Sequence, residues 1–299
     1  MIYYKSNGAR QRHLPGQNSV KGILFLLPML TFAVIFVFYP FGQALVQSVS
    51  VVNFRGEITG FAGLDHFRYL FGRKEFSSAL RNTLLLCGVN VPVTVVLTLL
   101  LAWMCRQKSP FHSIMETAFA LPMSVSMASI SLVFKVLLNP TAGYLNYITG
   151  LDIRWLTDRR TAMYGILIIT IWMGIAFNFL LFLSALRAIP GELAESAALE
   201  GASSLRIFMQ IQLPLLSPTL LYVVCTNMIQ ALMTNGPILI LTGGGPARST
   251  TTMIYLMYST GFSSSNYSLA ACVSIIAFLM TLTFTLLLFT TEKGRVHYQ

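Results

Sequence analysis

Asn227, Gln230 and Thr234 fall at i, i+3 and i+7 within an otherwise apolar run, which sets three hydrogen-bonding side chains on one helical stripe. Asn90, Asn178 and Trp172 lie in other apolar runs and offer further amide and indole groups. Amides both donate to and accept from hydroxyl groups, and an aromatic face suits a pyranose ring. The set therefore fits a polyhydroxylated solute. It fits interhelical hydrogen bonding equally well, and both readings stand. A second set occupies the polar connector Ile189–Pro214. There Ala194, Ala197, Ala198 and Gly201 recur at i, i+3, i+4 and i+7, so another surface can approach the backbone closely. Glu192 and Glu195 project from a different side and can meet basic groups.

Other chemistries lack their residues. Asp and Glu are almost absent from the apolar runs, leaving no carboxylate pair for hydrolysis. His13, His66, His112 and His297 are too dispersed for a metal site. Cys87, Cys105, Cys225 and Cys272 show no CxxC spacing and read as small buried hydrophobes. Gly243-Gly-Gly-Pro-Ala-Arg-Ser-Thr250 resembles a phosphate loop superficially but lacks Gly-Lys-Ser/Thr. The chain is expected to be no enzyme by itself and to hold no cofactor, so any ATP and Mg must be bound by another chain.

The elements that position these residues follow from composition. Of the 299 residues 55% are hydrophobic and 10% charged, with mean hydropathy +0.68. A soluble chain carries about 25% charged residues, so there is too little polar surface here to face water all round. The net charge of +10 is scattered through short connectors, without the basic stripe that nucleic acid requires. Anionic headgroups of membrane lipid account for it more simply.

Six stretches reach the length of about 20 apolar residues that a membrane-crossing helix needs: Ile23–Ala44, Thr83–Met104, Met115–Leu138, Ala162–Leu186, Thr219–Leu241 and Ser268–Thr290. Backbone groups in hydrocarbon must pair internally, which enforces helix. The alternating ten-residue segments of a β-barrel are missing from the sequence. The expected fold is all-α, an integral membrane bundle of six helices. Residues 1–22 form an N-terminal segment, 23–290 the membrane domain with its connector 187–218, and 291–299 a tail. The first run has no small-residue cleavage site and reads as an uncleaved span.

The third span alone contains charge, Glu116 at its start and Lys135 near its end, and Lys135 is expected to reach out to the interface. Pro28, Pro40, Pro92, Pro122 and Pro237 sit in or beside spans and suggest bent helices around a cavity. Lys5, Arg10, Arg12 and Lys21 precede the first span while only Arg55 follows closely, which places both termini in the cytoplasm. Leu64, Phe67 and Phe71 predict a short amphipathic helix on the membrane surface. In the Ile189–Pro214 connector, Pro190 and Glu192 start a helix, Gly201 interrupts it, and Ser203 or Ser204 caps a second helix through Ile211. Pro214 is expected to end that segment. The result is a helix–turn–helix knob between two membrane helices.

This connector resembles the EAA loop of binding-protein-dependent ABC permeases. Glu195-Ser196-Ala197, then Gly201, then Ile211-Gln212-Leu213-Pro214 match in register. Ser196 stands where the family has Ala, and Glu200 where it has Asp. Gly63-Leu64-Asp65-His66-Phe67, Asn82-Thr83, Asn139-Pro140 with Gly143 and Asn146, and Leu241-Thr-Gly-Gly-Gly-Pro246 with Ser249-Thr250 are similar too. The last of these is typical of carbohydrate importers of the maltose and glycerol-phosphate type. Asn235-Gly236 replaces the family's Phe-Asp before it. The C-terminal Arg295-Val-His-Tyr-Gln299 also resembles glycerol-phosphate permeases.

The resemblance implies a type I ABC importer in a bacterial plasma membrane. It would comprise this chain, a second permease subunit, two cytoplasmic ATPases and an extracytoplasmic solute-binding protein. Glu195 would be the salt-bridging residue and Gly201 the turn. Ala197, Ala198, Glu192, Ile211, Leu213 and Pro214 would complete the coupling surface. The polar stripe lacks a cationic clamp, which favours a neutral carbohydrate over glycerol phosphate. An ion-coupled carrier is the alternative, but it needs a deep acidic residue, and Glu116 lies at a span edge.

Overall fold

The computed structural model describes residues 15–107 and 109–292. Expectations for Lys5, Arg10, Arg12, His13, Lys108 and the tail 293–299 lie outside the described residues.

The first span runs as α1 (Pro15–Ala33), a π-helical turn at Val34–Phe38 and α2 (Tyr39–Ser48). Helix thus begins at Pro15, ahead of the expected span. The chain then forms a hairpin of β1 (Ser50–Val52) and β2 (Ile58–Phe61), antiparallel with Ser50 opposite Phe61. In α3 (Asp65–Phe71) the buried residue is Leu70, with Phe67 half-buried and Leu64 and Phe71 exposed. Exposed Leu64 and Phe71 leave an apolar edge available to lipid, while Leu70 is a buried residue the expected stripe did not include. The helix is seated on protein through Leu70, which packs with Phe76, Met253 and Val273.

α4 (Lys74–Met104) is continuous through Pro92 and begins at Lys74 rather than Thr83. The third expected span is not one helix. α5 (Pro110–Ala120) passes through a 3₁₀ turn at Leu121–Ser124 and then bends by 105° into α6 (Met127–Leu137). Pro122 cannot extend the helical ladder, Val125 is extended, and the Ser126 hydroxyl caps the new helix by accepting from the Ser129 N–H at 3.2 Å. α7 (Tyr144–Thr149) leads to α8 (Ala162–Ala188).

After α8 come α9 (Gly191–Leu199), α10 (Ser204–Ile207), a π-helical turn at Phe208–Gln212, α11 (Leu213–Leu215) and α12 (Ser217–Leu232). The fifth expected span also breaks, because α13 (Gly236–Leu241) restarts after Met233–Asn235 with Pro237 in its first turn. α14 (Met253–Tyr258) and α15 (Tyr267–Glu292) complete the described chain.

Five of these helical stretches are long and apolar enough to cross a membrane, and the bent α5–α6 pair makes a sixth if it counts as one span. The most extensive helix pair is α4 with α8, and α12 packs on both. Leu86, Ile166, Phe179, Phe182, Val223 and Leu232 fill the centre. Gly174 permits the close approach: a Cβ there would stand 2.8 Å from Thr94 Cγ2. The Leu24–Ser48 span, by contrast, has none of its most apolar window buried within the chain. Its C-terminal end rests on α15, where the Phe41 and Phe278 rings lie 4.9 Å apart.

Candidate functional site

The α8–α12 connector forms the expected knob, with one correction. Pro190 precedes α9, and Glu192 sits in its first turn. The helix ends in a Schellman turn: Ala202 N–H donates to Ala197 O, and Gly201 N–H donates to Ala198 O, both at 3.0 Å. Gly201 holds φ +84°, a conformation that a side chain resists. Ser203, rather than Ser204, caps α10. Helix then continues past Ile211, Leu213 and Pro214 instead of stopping at Pro214. The π-turn explains this. Leu213 N–H reaches back to Phe208 O, and the ladder is already offset where proline withholds a donor.

Glu192, Glu195, Ser196, Ala198 and Gly201 are exposed and Ala197 is half-buried. Glu192 and Glu195 have no ion pair among the described residues. Leu199 at the tip is 90% exposed. The root of the knob is firm. Phe208 is buried with its ring 5.1 Å from Trp103, and Arg187 donates to the carbonyls of Arg106 at 3.3 Å and Cys105 at 3.2 Å. Arg187 also pairs with Glu116, so the guanidinium ties the C-terminal ends of α4 and α8 to α5. Burial raises the Cys105 thiol above its ordinary pKa; the Glu116 carboxylate adds to this and Arg187 opposes it. Sequence reasoning missed this pair because its partners are far apart in the chain.

A cavity of about 680 Å³ opens where the third and fifth spans break. Asn90, Asn227, Gln230 and Thr234 line it, together with Met127, Thr170 and Asn235. The other two expected residues do not. Trp172 packs against Phe134 at 5.4 Å, and Asn178 lies behind the wall, donating to Asn227 Oδ1 at 2.9 Å. Asn90 donates to Thr170 Oγ1 at 2.8 Å and Asn227 to Val223 O at 2.7 Å. Much of the amide capacity is therefore spent within the protein, between helices at Asn90–Thr170 and Asn178–Asn227, as the alternative reading held, and inside α12 at Asn227–Val223. Asn235 Oδ1 is buried in this wall with no hydrogen-bond partner among the described residues, and Gln230 is exposed, so hydrogen-bonding capacity remains for a solute. Thr170 and Asn235 were not anticipated; the Asn-Gly-Pro sequence at 235–237 is the signal that could have located the break.

The glycine-rich loop is cross-linked at one end of the bundle. Asn82 donates to the carbonyls of both Arg248 and Thr251 at 3.0 Å, and Tyr255 OH donates to Gly243 O at 2.7 Å. Lys135 is exposed and donates to Ile240 O at 3.3 Å. That carbonyl lies near the C-terminal end of α13, where a cation is favoured.

Residues 71–291 match the family of binding-protein-dependent transport system inner membrane components. The chain belongs to this family. The permease is 31% identical over 280 residues to the sn-glycerol-3-phosphate transport system permease protein UgpA of Yersinia enterocolitica, covering 92% of this chain and 95% of the relative. It is 32% identical over 285 residues to UgpA of Agrobacterium fabrum, covering 94% and 97%. Its fold matches a bacterial alginate ABC transporter crystallised with an alginate pentasaccharide-bound periplasmic protein (TM-score 0.80, 24% identity, 92% of this chain and 96% of that chain). This chain is thus a multi-pass permease subunit of an ABC importer of the type I fold, not an enzyme, and the ATPase is a separate subunit. It works within a transport system that depends on a binding protein.

Proposed function

We propose that this permease forms half of the pathway for a sugar or a glycerol-phosphate-like solute and that a cytoplasmic ATPase drives it by gripping the α9–α10 knob. The assembly would pair it with a second permease subunit, two ATPase subunits that hold ATP and Mg, and an external solute-binding protein. Both termini and the knob would then face the cytoplasm, which agrees with Lys21 preceding the first span. Glu192, Glu195, Ser196, Ala197, Ala198 and Gly201 would form the gripped surface, with Ile211, Leu213 and Pro214 linking it to α12. Asn90, Asn227, Gln230 and Thr234 would contact the solute, with Asn178 as a brace and Trp172 outside the contact set.

The observation that carries this reading is the knob itself: a hydrogen-bonded turn, rooted on α4, α5 and α8, whose acidic and apolar tip is exposed. Motion imposed there must tilt α8 and α12 together. The permease should copurify with an ATPase chain. Glu195→Lys and Gly201→Asp should abolish ATP-driven uptake while membrane insertion stays normal. Normal uptake by both variants would sink the proposal, and uptake driven by an ion gradient without ATP would favour a secondary carrier.

A further inference from the structure

Arg81, Arg159, Arg160 and Arg248 line one pocket of about 270 Å³ between the start of α4, the start of α8 and the glycine-rich loop. Arg248 is placed there by force. Its φ is +62°, its carbonyl accepts from Asn82, and its guanidinium pairs with Glu75 at 2.5 Å. Arg81, Arg159 and Arg160 have no carboxylate partner among the described residues. Asp158 is the nearby acid in sequence, and its Oδ1 accepts from the Arg160 backbone N–H at 2.8 Å. Three of the four guanidinium groups therefore keep their charge for an anion, while that of Arg248 is shared with Glu75. The planar fork of arginine matches phosphate and carboxylate oxygens two at a time.

Position identifies the occupant. Val89 lines this pocket and Asn90 the amide cavity; Leu167 lines the pocket and Thr170 the cavity. The two spaces therefore follow each other along α4 and α8, with Arg81 about 14 Å of helix rise from Asn90. At about 270 Å³ the pocket is less than half the size of the amide cavity, which suits one anionic end of a solute rather than the whole of it.

We propose that this pocket is a phosphate-ester site at the mouth of the pathway, receiving the anionic end of the arriving solute before its hydroxyl groups meet Asn90 and Gln230. It rests on the reading of the amide cavity as the pathway, and it narrows the solute class to one bearing phosphate.

The test is equilibrium dialysis of radiolabelled sn-glycerol 3-phosphate against the whole importer in phosphatidylcholine nanodiscs. Binding should be displaced by inorganic phosphate and not by maltose. The pair Arg81→Gln and Arg160→Gln should weaken it on the order of tenfold or more. The pair Arg81→Lys and Arg160→Lys, which keeps charge but loses the fork, should fall between. No binding by the unaltered importer, or equal binding by the glutamine and unaltered forms, overturns the proposal. Loss of binding when phosphatidylglycerol replaces phosphatidylcholine overturns it in favour of a lipid headgroup. ATPase copurification, followed on the same samples, separates failure of this site from failure of the coupling reading.

Discussion

The knob and the amide cavity are the two places where this chain is shaped to meet something else, and they are built in opposite ways. The knob is local. Pro190, Glu192, Gly201 and Ser203 fix its start, turn and restart within a short run of sequence, and its tip offers Leu199 to whatever covers it. The cavity is tertiary. Its walls are tied by hydrogen bonds between residues 80 apart (Asn90 to Thr170) and 49 apart (Asn178 to Asn227). A surface that is gripped can be made from one segment. A space that surrounds a solute needs several helices, and here two of them are interrupted.

The sharpest way to break this comparison is at Leu199. Little of its surface is covered by its own chain, so Leu199→Asp should leave the thermal midpoint of the isolated permease unchanged. Capture of the ATPase should fall by about 2–4 kcal/mol, the loss expected of a buried apolar anchor at an interface. A lowered midpoint with undiminished capture would show that the residue serves the permease and not its partner.

Next in size is the joint between knob and bundle. Arg187→Ala removes hydrogen bonds to Cys105 and Arg106 and the pair with Glu116. Hydrogen bonds to charged groups contribute about 1.5–3 kcal/mol, so the variant should unfold earlier in detergent. It should also hydrolyse ATP with less solute moved per ATP, because the knob would no longer carry α4 and α5 with it. Full stoichiometry of ATP to solute would mean that α8 and α12 transmit the motion alone.

The difference between local and tertiary construction also explains what was legible in the sequence. Apolar runs gave the spans, since hydrocarbon leaves helix as the available backbone. Cap and turn residues gave the knob because their partners lie a few residues away. Pro214 misled because proline signals a helix end only where the ladder is in α register, and the π-turn at Phe208–Gln212 shifts it. The bend at Pro122 was visible as a proline, but its 105° angle depends on Ser126 starting a new helix. Trp172 fits a sugar-binding pattern by type, yet its contact with Phe134 is written in no local spacing. The Arg187–Glu116 pair and the four-arginine pocket are likewise products of packing.

A smaller effect should follow from filling the break in the fifth span. A Cβ on Gly236 would stand 2.0 Å from Met127 Cε and 2.4 Å from its sulfur, so α13 meets the start of α6 with no room between them. Because a methionine side chain can swing aside, Gly236→Ala should cost only about 1–2 kcal/mol. Met127→Ala in the same chain should recover most of that loss. Failure of the second change to rescue thermal stability would mean that Gly236 is needed for its backbone rather than for its closeness to Met127.

The smallest effect decides how the cavity amides divide their work. Asn178 donates to Asn227 and both are buried, so Asn178→Leu leaves the Asn227 oxygen without that donor. Interhelical hydrogen bonds in membranes contribute about 0.6 kcal/mol on average and up to about 1.7. Asn178→Leu should therefore lower stability by about 1 kcal/mol, and the pair with Asn227→Leu should lose less than the two single changes added together. Asn227 lines the cavity whereas Asn178 does not, so the apparent KM for uptake should rise with Asn227→Leu and stay near its starting value with Asn178→Leu. Equal rises in KM from both substitutions would show that the amide pair acts as one solute-binding unit, and the distinction between brace and contact would be lost.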